Sequence, residues 1–203
     1  MIAAVVLAAG ESSRLGRPKQ LVEFRGRSLI RGAVEAAREA GCSPVVVVLG
    51  AKAETVRREI DPLEVRAVVN EGWREGMGGS VRAGITELVG GGNGIEAAVL
   101  MVCDQPRLSA EVLRGLIEAY LGREDRTATM AACAYAGTLG VPALFARGEF
   151  DRLLALQGDR GARDLLRARP GRVVRVSWPE GIRDVDSSGD LPGPACGDPR
   201  TAL

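Results

Sequence analysis

A chain of 203 residues is long enough to bury the core of one sizeable α/β domain without disulfide bonds or a structural metal. Its 27 Lys and Arg side chains and 26 Asp and Glu side chains leave a formal net charge of +1, with the two signs interspersed. This balance argues against a general nucleic-acid-binding or membrane-binding surface. The chain contains no histidine, which excludes serine–histidine–aspartate triads and other histidine-based acid–base schemes.

Along the first half of the chain, short apolar runs alternate with longer amphipathic ones. Strands buried on both faces are predicted over residues 2–8, 44–49, 65–69 and 97–102, because their apolar residues are continuous. Helices are predicted between them over residues 29–40, 53–60 and 80–88. Ser28 can cap the first helix, and Gly41 follows its end. This alternation predicts a mainly parallel sheet with right-handed crossovers.

The second half of the chain has a looser pattern. A helix is predicted over residues 109–121 with Ser109 as its cap, followed by strands over 129–135 and 141–145 that make the sheet mixed. Further helices are predicted over 147–156 and 161–168, and a last strand over 173–176. Residues 192–203 show no periodicity and are predicted to be a disordered tail, so that residues 1–191 form a single domain.

The four cysteines and the amino-terminal segment bear on the cellular setting. Cys42, Cys103, Cys133 and Cys196 are widely spaced, with no CxxC pair typical of a zinc knuckle or a redox motif. The apolar start stops at Gly10 and lacks a preceding basic segment, which favours a buried strand over a secretory signal. We therefore expect reduced thiols and a cytoplasmic location.

The loop after the first predicted strand is small, polar and cationic. Residues 7–21 read LAAGESSRLGRPKQL, a spacing that matches neither the P-loop nor the GxGxxG fingerprint. Glycines let backbone N–H groups approach a ligand, serines add donors, and the cations suit phosphate oxygens. The loop is either a phosphate-binding site or a glycine-rich strand end with solvated cations. The residues concerned are Gly10, Ser12, Ser13, Arg14, Gly16 and Lys19.

Acidic residues follow at two later positions. Asp104 comes directly after the strand predicted over 97–102 and therefore lies at the same sheet edge as the first loop, where it can hold Mg²⁺ or cap a turn. Near the end, Asp184 and Asp186 fall on the same side if the segment is extended, either at a metal or in an acidic loop. Between the first loop and Asp104, the glycines of residues 76–84 open a helix, as an anion- or base-binding turn or as a flexible helix start.

Together these segments resemble a known family. LAAGESSRLGRPKQL is similar to the LAAGxSxRxGxxK signature of nucleotidyltransferases with a MobA-like fold. Within that group, GMGGSVRAGI, VCDQP, LGVPALFARGEF, LQGDRGARDLL and DVDSSGDL resemble, in this order, the molybdenum cofactor cytidylyltransferases. The resemblance runs from about residue 2 to residue 191. It departs from the family where DVDSSGDL replaces the frequent DIDTPEDL and where GMGGS replaces GMSSS.

The resemblance implies a Rossmann-like three-layer α/β/α fold with a mostly parallel, mixed sheet, similar to nucleotide-diphospho-sugar transferases. It implies Mg²⁺-dependent transfer of CMP from CTP to the phosphate of molybdopterin, with release of pyrophosphate; Mn²⁺ is the alternative metal. A molybdenum hydroxylase apoenzyme is the further partner implied.

The resemblance also assigns roles to residues. The catalytic residues would be Arg14, Lys19 and Asp104, and the metal would be held by Asp104 and Asp186. The nucleotide would be bound by Leu7, Ala8, Ala9, Gly10, Ser12, Ser13, Gly79 and Ser80.

Several alternatives remain open on the sequence. Ala9 gives LAAG, as in pyrimidine-using relatives, whereas the guanylyl branch resembles LAGG; GTP or another phosphorylated acceptor is the alternative substrate. A non-catalytic chaperone that delivers the finished cofactor is a third possibility. In residues 158–163, Arg160 or Arg163 holds the pterin or belongs to a salt-bridged corner. Trp73 and Trp178 stack on a pterin or pack in the core.

Overall fold

The computed structural model describes residues 1–12, 15–92, 94–125 and 127–184. The strands, in chain order, are β1 (Ile2–Ala8), β2 (Glu23–Phe24), β3 (Arg27–Ser28), β4 (Val45–Leu49), β5 (Arg66–Val69), β6 (Ala97–Val102), β7 (Met130–Tyr135), β8 (Thr138–Ala146) and β9 (Val173–Ser177). The α-helices are α1 (Leu29–Glu39), α2 (Ala53–Ile60), α3 (Met77–Gly90), α4 (Ala110–Leu121), α5 (Phe150–Leu154) and α6 (Ala162–Ala168).

Seven of these strands form one mixed sheet in the order β5-β4-β1-β6-β8-β7-β9. Strands β1, β4, β5 and β6 are parallel, whereas β8 runs antiparallel to both β6 and β7, and β9 is parallel to β7. The carboxyl ends of β1, β4, β5 and β6 therefore meet at one side of the sheet, which we call the carboxyl edge. The hairpin between β7 and β8 turns at this same edge, through Ala136 and Gly137, whose φ angles are +48° and +72°.

Helices cover both faces of the sheet, giving three layers. Ala4 and Val6 of β1 face the core shared with α1, α2 and α4, whereas Val5 faces the core shared with α3, α5 and α6. All three residues are fully buried. This layering explains the continuous apolar runs, because side chains on both faces of the strand enter an apolar core. The predicted α/β/α fold with a mostly parallel, mixed sheet is confirmed.

Several helix boundaries follow directly from local chemistry. The Ser28 hydroxyl accepts a hydrogen bond from the Arg31 backbone N–H at 3.3 Å, so Ser28 caps α1 as predicted. Gly41 follows α1 with a φ of +84°, and its N–H donates to the Arg38 carbonyl. Ser109 occupies the cap position of α4, but its side chain makes no capping hydrogen bond there, so its predicted capping role is wrong.

Other boundaries differ from the prediction because of tertiary contacts. Helix α3 begins at Met77 rather than at residue 80, since the N–H of Gly78 donates to the Gly158 carbonyl at 2.9 Å. The helix predicted over residues 147–156 divides into a 3₁₀ turn, Arg147–Glu149, and the short α5. The hairpin formed by β2 and β3 was not predicted; each of its strands has only two residues, too few to show periodicity.

Several predictions fall partly or wholly outside the described residues. The tail predicted over 192–203 lies there, as does Cys196, and the single-domain extent of residues 1–191 stays a prediction. Cys42, Cys103 and Cys133 are all buried and form no disulfide within the described part of the chain. Among the helices that the structure describes, none is long and apolar enough to cross a membrane.

Candidate functional site

A cavity of about 590 Å³ opens at the carboxyl edge, between the ends of β1 and β6 and the start of α3. Because the strand ends meet there, residues distant in the chain share its wall, as is usual for ligand sites of open α/β sheets. Seven of the residues to which the resemblance assigns catalytic or nucleotide-binding roles line it, namely Leu7, Ala8, Ala9, Gly10, Lys19, Ser80 and Asp104.

The two charged residues of this group are in direct contact. The Lys19 ammonium forms an ion pair with Oδ2 of Asp104, and the two side chains are 20% and 14% exposed. Oδ1 of Asp104 is buried and has no hydrogen-bond partner among the described residues. An unpartnered buried carboxylate oxygen costs free energy, so the site is suited to a further cation or donor.

The donor chemistry fits a divalent metal. Carboxylate oxygens are preferred ligands of Mg²⁺ and Mn²⁺, and such ions are usually bound through one or two carboxylates together with substrate phosphates. Among the described residues, no three or more acidic or thiol side chains lie close enough together to hold a metal ion by themselves. The second predicted ligand, Asp186, lies outside the described residues.

The loop after β1 is organised by a residue that the sequence reasoning missed. Gln20 is 1% exposed, and its side-chain amide N–H groups donate to the carbonyls of Ala8 at 2.8 Å and Gly10 at 2.9 Å. These hydrogen bonds fold the loop back onto the end of β1. The Lys19 ammonium is thereby brought to the cavity from the 3₁₀ turn Lys19–Leu21. The only signal in the sequence was an uncharged amide beside the predicted lysine.

Ser12 supports the same loop with its side chain. Its φ is +60°, and its hydroxyl accepts a hydrogen bond from the Lys19 backbone N–H at 2.9 Å. The hydroxyl also lies 3.4 Å from Oε1 of Gln20, to which it donates. Within the described residues, the Ser12 side chain is therefore engaged with its own loop. Ser13 and Arg14 lie outside the described residues.

The start of α3 forms the opposite wall. Asn70, which follows β5, donates from its amide to the Ser80 hydroxyl at 3.1 Å and so fixes the orientation of Ser80. Gly79 lies beside Asn70, since a Cβ at Gly79 would be 3.2 Å from the Asn70 amide nitrogen. Of the two residues predicted to bind nucleotide here, Ser80 lines the cavity and Gly79 packs behind it.

Residues 158–163 pack against this helix start. Gly76 has a φ of +114°, and a Cβ there would lie 2.4 Å from the Gly158 carbonyl, so the two backbones approach closely. This contact brings Asp159 into the cavity wall. The Gly161 N–H donates to the Asp164 carboxylate at the start of α6. Asp159 is a further wall residue that the sequence reasoning did not single out.

The two tryptophans have different environments. Trp73 lines the cavity, and the Arg74 guanidinium lies 4.3 Å from the centre of its ring. Trp178 is buried, and its ring meets that of Tyr135 edge-on at 6.2 Å. Trp73 therefore offers an aromatic surface to a ligand, whereas Trp178 packs in the core.

The remaining groups near the site are a thiol and a phenol. Burial raises the pKa of the Cys103 thiol to about 12, and the neighbouring Asp104 carboxylate adds to the rise. Cys103 is therefore a neutral thiol and no nucleophile near pH 7. Burial also raises the pKa of Tyr135; the charge of Asp184 adds to this rise and a hydrogen bond from Arg163 opposes it. Asp184 and Arg163 thus both lie near the Tyr135 hydroxyl.

Comparison with known proteins identifies the family. Residues 4–173 match the family model described as the MobA-like NTP transferase domain. Nicotine blue oxidoreductase of Paenarthrobacter nicotinovorans is 36% identical over 184 residues, which cover 85% of this chain and 84% of that protein.

Solved structures agree with this match. Rv0371c from Mycobacterium tuberculosis H37Rv is similar with a TM-score of 0.78 and 31% identity, over 93% of this chain and 94% of that chain. A second solved structure of Rv0371c is a complex with manganese. A nucleotidyl transferase from Methanothermobacter thermautotroptrophicus is similar with a TM-score of 0.77 and 26% identity, over 94% of each chain. From the family match and these neighbours, the chain is a nucleotidyltransferase that belongs to the MobA-like NTP transferase family.

Proposed function

We propose that this chain transfers CMP from CTP to the phosphate of molybdopterin, forming the cytosine dinucleotide cofactor and pyrophosphate. The observation that carries the proposal is the Lys19–Asp104 pair at the cavity, with the second Asp104 oxygen buried and unpartnered. The order of the motifs along the chain supports the choice of substrates. A cytoplasmic location and a molybdenum hydroxylase as recipient of the product belong to the same proposal.

The reaction needs no general base, which agrees with a chain that contains no histidine. A phosphate monoester is largely dianionic near neutral pH. One of its oxygens forms a bond to the α-phosphorus of CTP. The bond from that phosphorus to the oxygen bridging to the β-phosphate breaks, and its electron pair leaves with pyrophosphate. What the protein must supply is in-line positioning and neutralisation of charge.

The chain's own residues supply both. On nucleotide binding, the Lys19 ammonium would exchange part of its contact with Asp104 for the α-phosphate, and Arg14 would bind the departing pyrophosphate. Backbone N–H groups around Gly10 would contact phosphate oxygens, with Ser13 as a further donor. Mg²⁺ or Mn²⁺, held by Asp104 and Asp186, would neutralise part of the triphosphate charge.

The nucleotide's base would lie along the wall formed by the end of β1 and the start of α3, where Leu7, Ala8 and Ser80 line the cavity. Ala9 is 6% exposed, and a Cβ at Gly50 would lie 2.7 Å from the Ala9 methyl, so Gly50 and Ala9 are in close contact. The Ala9 methyl narrows the space for the base and favours a pyrimidine. One methyl group in a pocket biases selection by about 1–3 kcal/mol.

The test is incubation of the protein with molybdopterin-type acceptor, Mg²⁺ and each of CTP, GTP, ATP and UTP. Mass spectrometry of the product and release of pyrophosphate are the readouts. The expected product is the acceptor plus one CMP, formed fastest with CTP. A preference for GTP would overturn the choice of base. Transfer only to a different phosphorylated acceptor would overturn the choice of acceptor while retaining the reaction class.

Two other activities are distinguished by separate assays. The name of the Paenarthrobacter nicotinovorans relative, which is similar over most of both chains, makes a redox activity a second candidate. Oxidation of NADH or NADPH in the presence of nicotine blue tests it. A delivery chaperone predicts tight binding of the finished dinucleotide cofactor without turnover of CTP. Turnover of CTP without oxidation of reduced nicotinamide is the result that we expect.

A further inference from the structure

Gln105, the residue after Asp104, connects three parts of the chain through one buried amide. Gln105 is buried, with 4% of its surface exposed. The amide nitrogen donates to the Val141 carbonyl of β8 at 3.2 Å and to the Gly181 carbonyl at 3.1 Å. These acceptors are 36 and 76 residues further along the chain. Both N–H bonds of the amide are therefore used on distant backbone.

The second acceptor belongs to a tightly packed turn, the 3₁₀ segment Pro179–Ile182. A Cβ at Gly181 would lie 2.6 Å from both Tyr135 Cδ1 and Trp178 Cε3, so the turn backbone is in contact with both rings. The Tyr135 hydroxyl donates to the same Val141 carbonyl that Gln105 uses, at 3.1 Å. Gln105 and Tyr135 both contact the turn, and both donate to the same acceptor on β8, the Val141 carbonyl.

This turn leads directly to the acidic segment. Asp184 follows Gly181 by three residues, and its charge acts on Tyr135. The loop that carries Asp104 and the turn that leads to Asp184 are therefore joined by the Gln105 amide, which is adjacent in sequence to Asp104 itself.

We propose that Gln105 is a positioning residue that sets the location of the turn Pro179–Ile182, and hence of Asp184, relative to the Asp104 carboxylate. This inference rests on the proposed function, in which carboxylates from both segments hold one metal ion. The amide is chemically specific for the task, because two carbonyl oxygens require two N–H donors. An ionised glutamate would present only acceptors to them, and methionine would fill the space without donating.

The test compares Gln105→Met, Gln105→Glu and the milder Gln105→Asn with Thr129→Ala. Asparagine keeps the amide but is one methylene too short to reach both carbonyls, so it serves if the other variants fail to fold. Thr129 precedes β7 at the opposite edge of the sheet, where its hydroxyl donates to Glu149 at 2.6 Å. Thr129→Ala therefore removes a partly buried hydrogen bond and lowers stability without touching the carboxyl edge.

The primary readout is Mn²⁺ binding in the presence of CTP, measured by electron paramagnetic resonance of free Mn²⁺. Removal of a residue that supports a metal ligand typically weakens metal affinity 10–100-fold, so the Gln105 variants are expected to lose at least about tenfold. The kcat should fall while the KM for CTP changes little. Backbone amide exchange in residues 179–184 should accelerate. Thr129→Ala should leave all three measurements near wild type.

Wild-type Mn²⁺ affinity in Gln105→Met or Gln105→Asn would overturn the inference, and so would an equal loss in Thr129→Ala. Absence of Mn²⁺ binding by the wild-type protein would overturn it as well. If the wild-type protein binds Mn²⁺ and CTP but transfers no CMP, the proposed function fails. A selective loss of Mn²⁺ binding in the Gln105 variants would then still support the positioning role.

Discussion

Lys19 and Asp104 are 85 residues apart in the chain, and their side chains form an ion pair at the cavity on the carboxyl edge. The ion pair connects the loop after β1 with the end of β6. Each partner neutralises the charge of the other, so a triphosphate that enters must compete with Asp104 for the ammonium.

Lys19→Ala is expected to lower kcat/KM for CTP by about 100-fold or more, since it removes the charge that we propose stabilises the transition state. Pyrophosphate release measures the effect. Arg38→Ala is the control, because it removes an exposed ion pair with Glu64. Wild-type turnover in a folded Lys19→Ala protein would contradict a catalytic role for this residue.

Asp104→Asn keeps the side-chain volume but removes the negative charge that we propose for metal binding. Mn²⁺ affinity measured with CTP present is expected to fall by at least about tenfold, as is CMP transfer. The control is Glu96→Gln, an exposed acid that pairs with the chain's amino terminus. Unchanged Mn²⁺ affinity in the Asp104 variant would remove Asp104 from the metal site.

Ala9→Gly removes the methyl group that we propose narrows the cavity beside the base. The ratio of kcat/KM for GTP to that for CTP is expected to rise by roughly 5- to 150-fold, the equivalent of about 1–3 kcal/mol. Parallel assays with the two nucleotides measure the ratio. A constant ratio would show that the Ala9 methyl takes no part in base selection.

Glu149 is a buried carboxylate at the opposite edge of the sheet, and it should matter for stability. It accepts hydrogen bonds from Arg169 at 2.9 and 3.0 Å and from Thr129 at 2.6 Å. Glu149→Ala leaves the Arg169 charge without its partner and is expected to cost about 3–5 kcal/mol of unfolding free energy. Glu35→Ala, which breaks more exposed ion pairs with Arg27 and Arg31, should cost at most about 1 kcal/mol. Urea unfolding compares the two, and equal losses would contradict the difference in burial.

The buried thiols predict a loss of stability at alkaline pH. Burial raises the pKa of Cys42 to about 11 and that of Cys133 to about 12, from an ordinary value of 9.0. Above about pH 9 the unfolded chain releases these protons and the folded chain retains them, so unfolding becomes more favourable as the pH rises. The stability that each thiol contributes below pH 9 is lost progressively up to its folded pKa.

The unfolding free energy of the Cys133→Ala variant should therefore depend less on pH than that of the wild-type protein. Each pH unit in this window corresponds to about 1.4 kcal/mol per thiol. Urea unfolding at pH 8 and pH 10 measures the difference between the two proteins, which cancels the titration of other groups. If both proteins lost the same unfolding free energy between these pH values, the raised pKa of Cys133 would be contradicted.

The sequence predicts elements well where a local pattern determines them. The bounds of β1 and β6 agree with the prediction because a strand buried on both faces must be continuously apolar. Parallel topology then places Lys19 and Asp104 at one edge without any knowledge of the coordinates. The start of α3 was predicted late, since the hydrogen bond from Gly78 to the Gly158 carbonyl is not visible in the local pattern.

The supporting residues of the site were harder to predict for a related reason. Gln20 donates to the carbonyls at the end of β1, and Asn70 orients Ser80. Each amide acts on a partner at least eight residues away, and no spacing rule connects them. Such residues are identified only when the fold shows which buried carbonyl and hydroxyl groups need a partner.

Strand β8 runs antiparallel to β6, so the carboxyl edge is built from two different parts of the chain. The side-chain hydrogen bonds of Ser12 and Gln20 that fold the loop carrying Lys19 lie within the first half of the chain. Asp104, which pairs with Lys19, and the exposed hairpin tip at Ala136 and Gly137 belong to the second half. Insertions and substitutions at such exposed tips disturb a fold least. We therefore expect insertions at this tip to leave the loop that carries Lys19 in place.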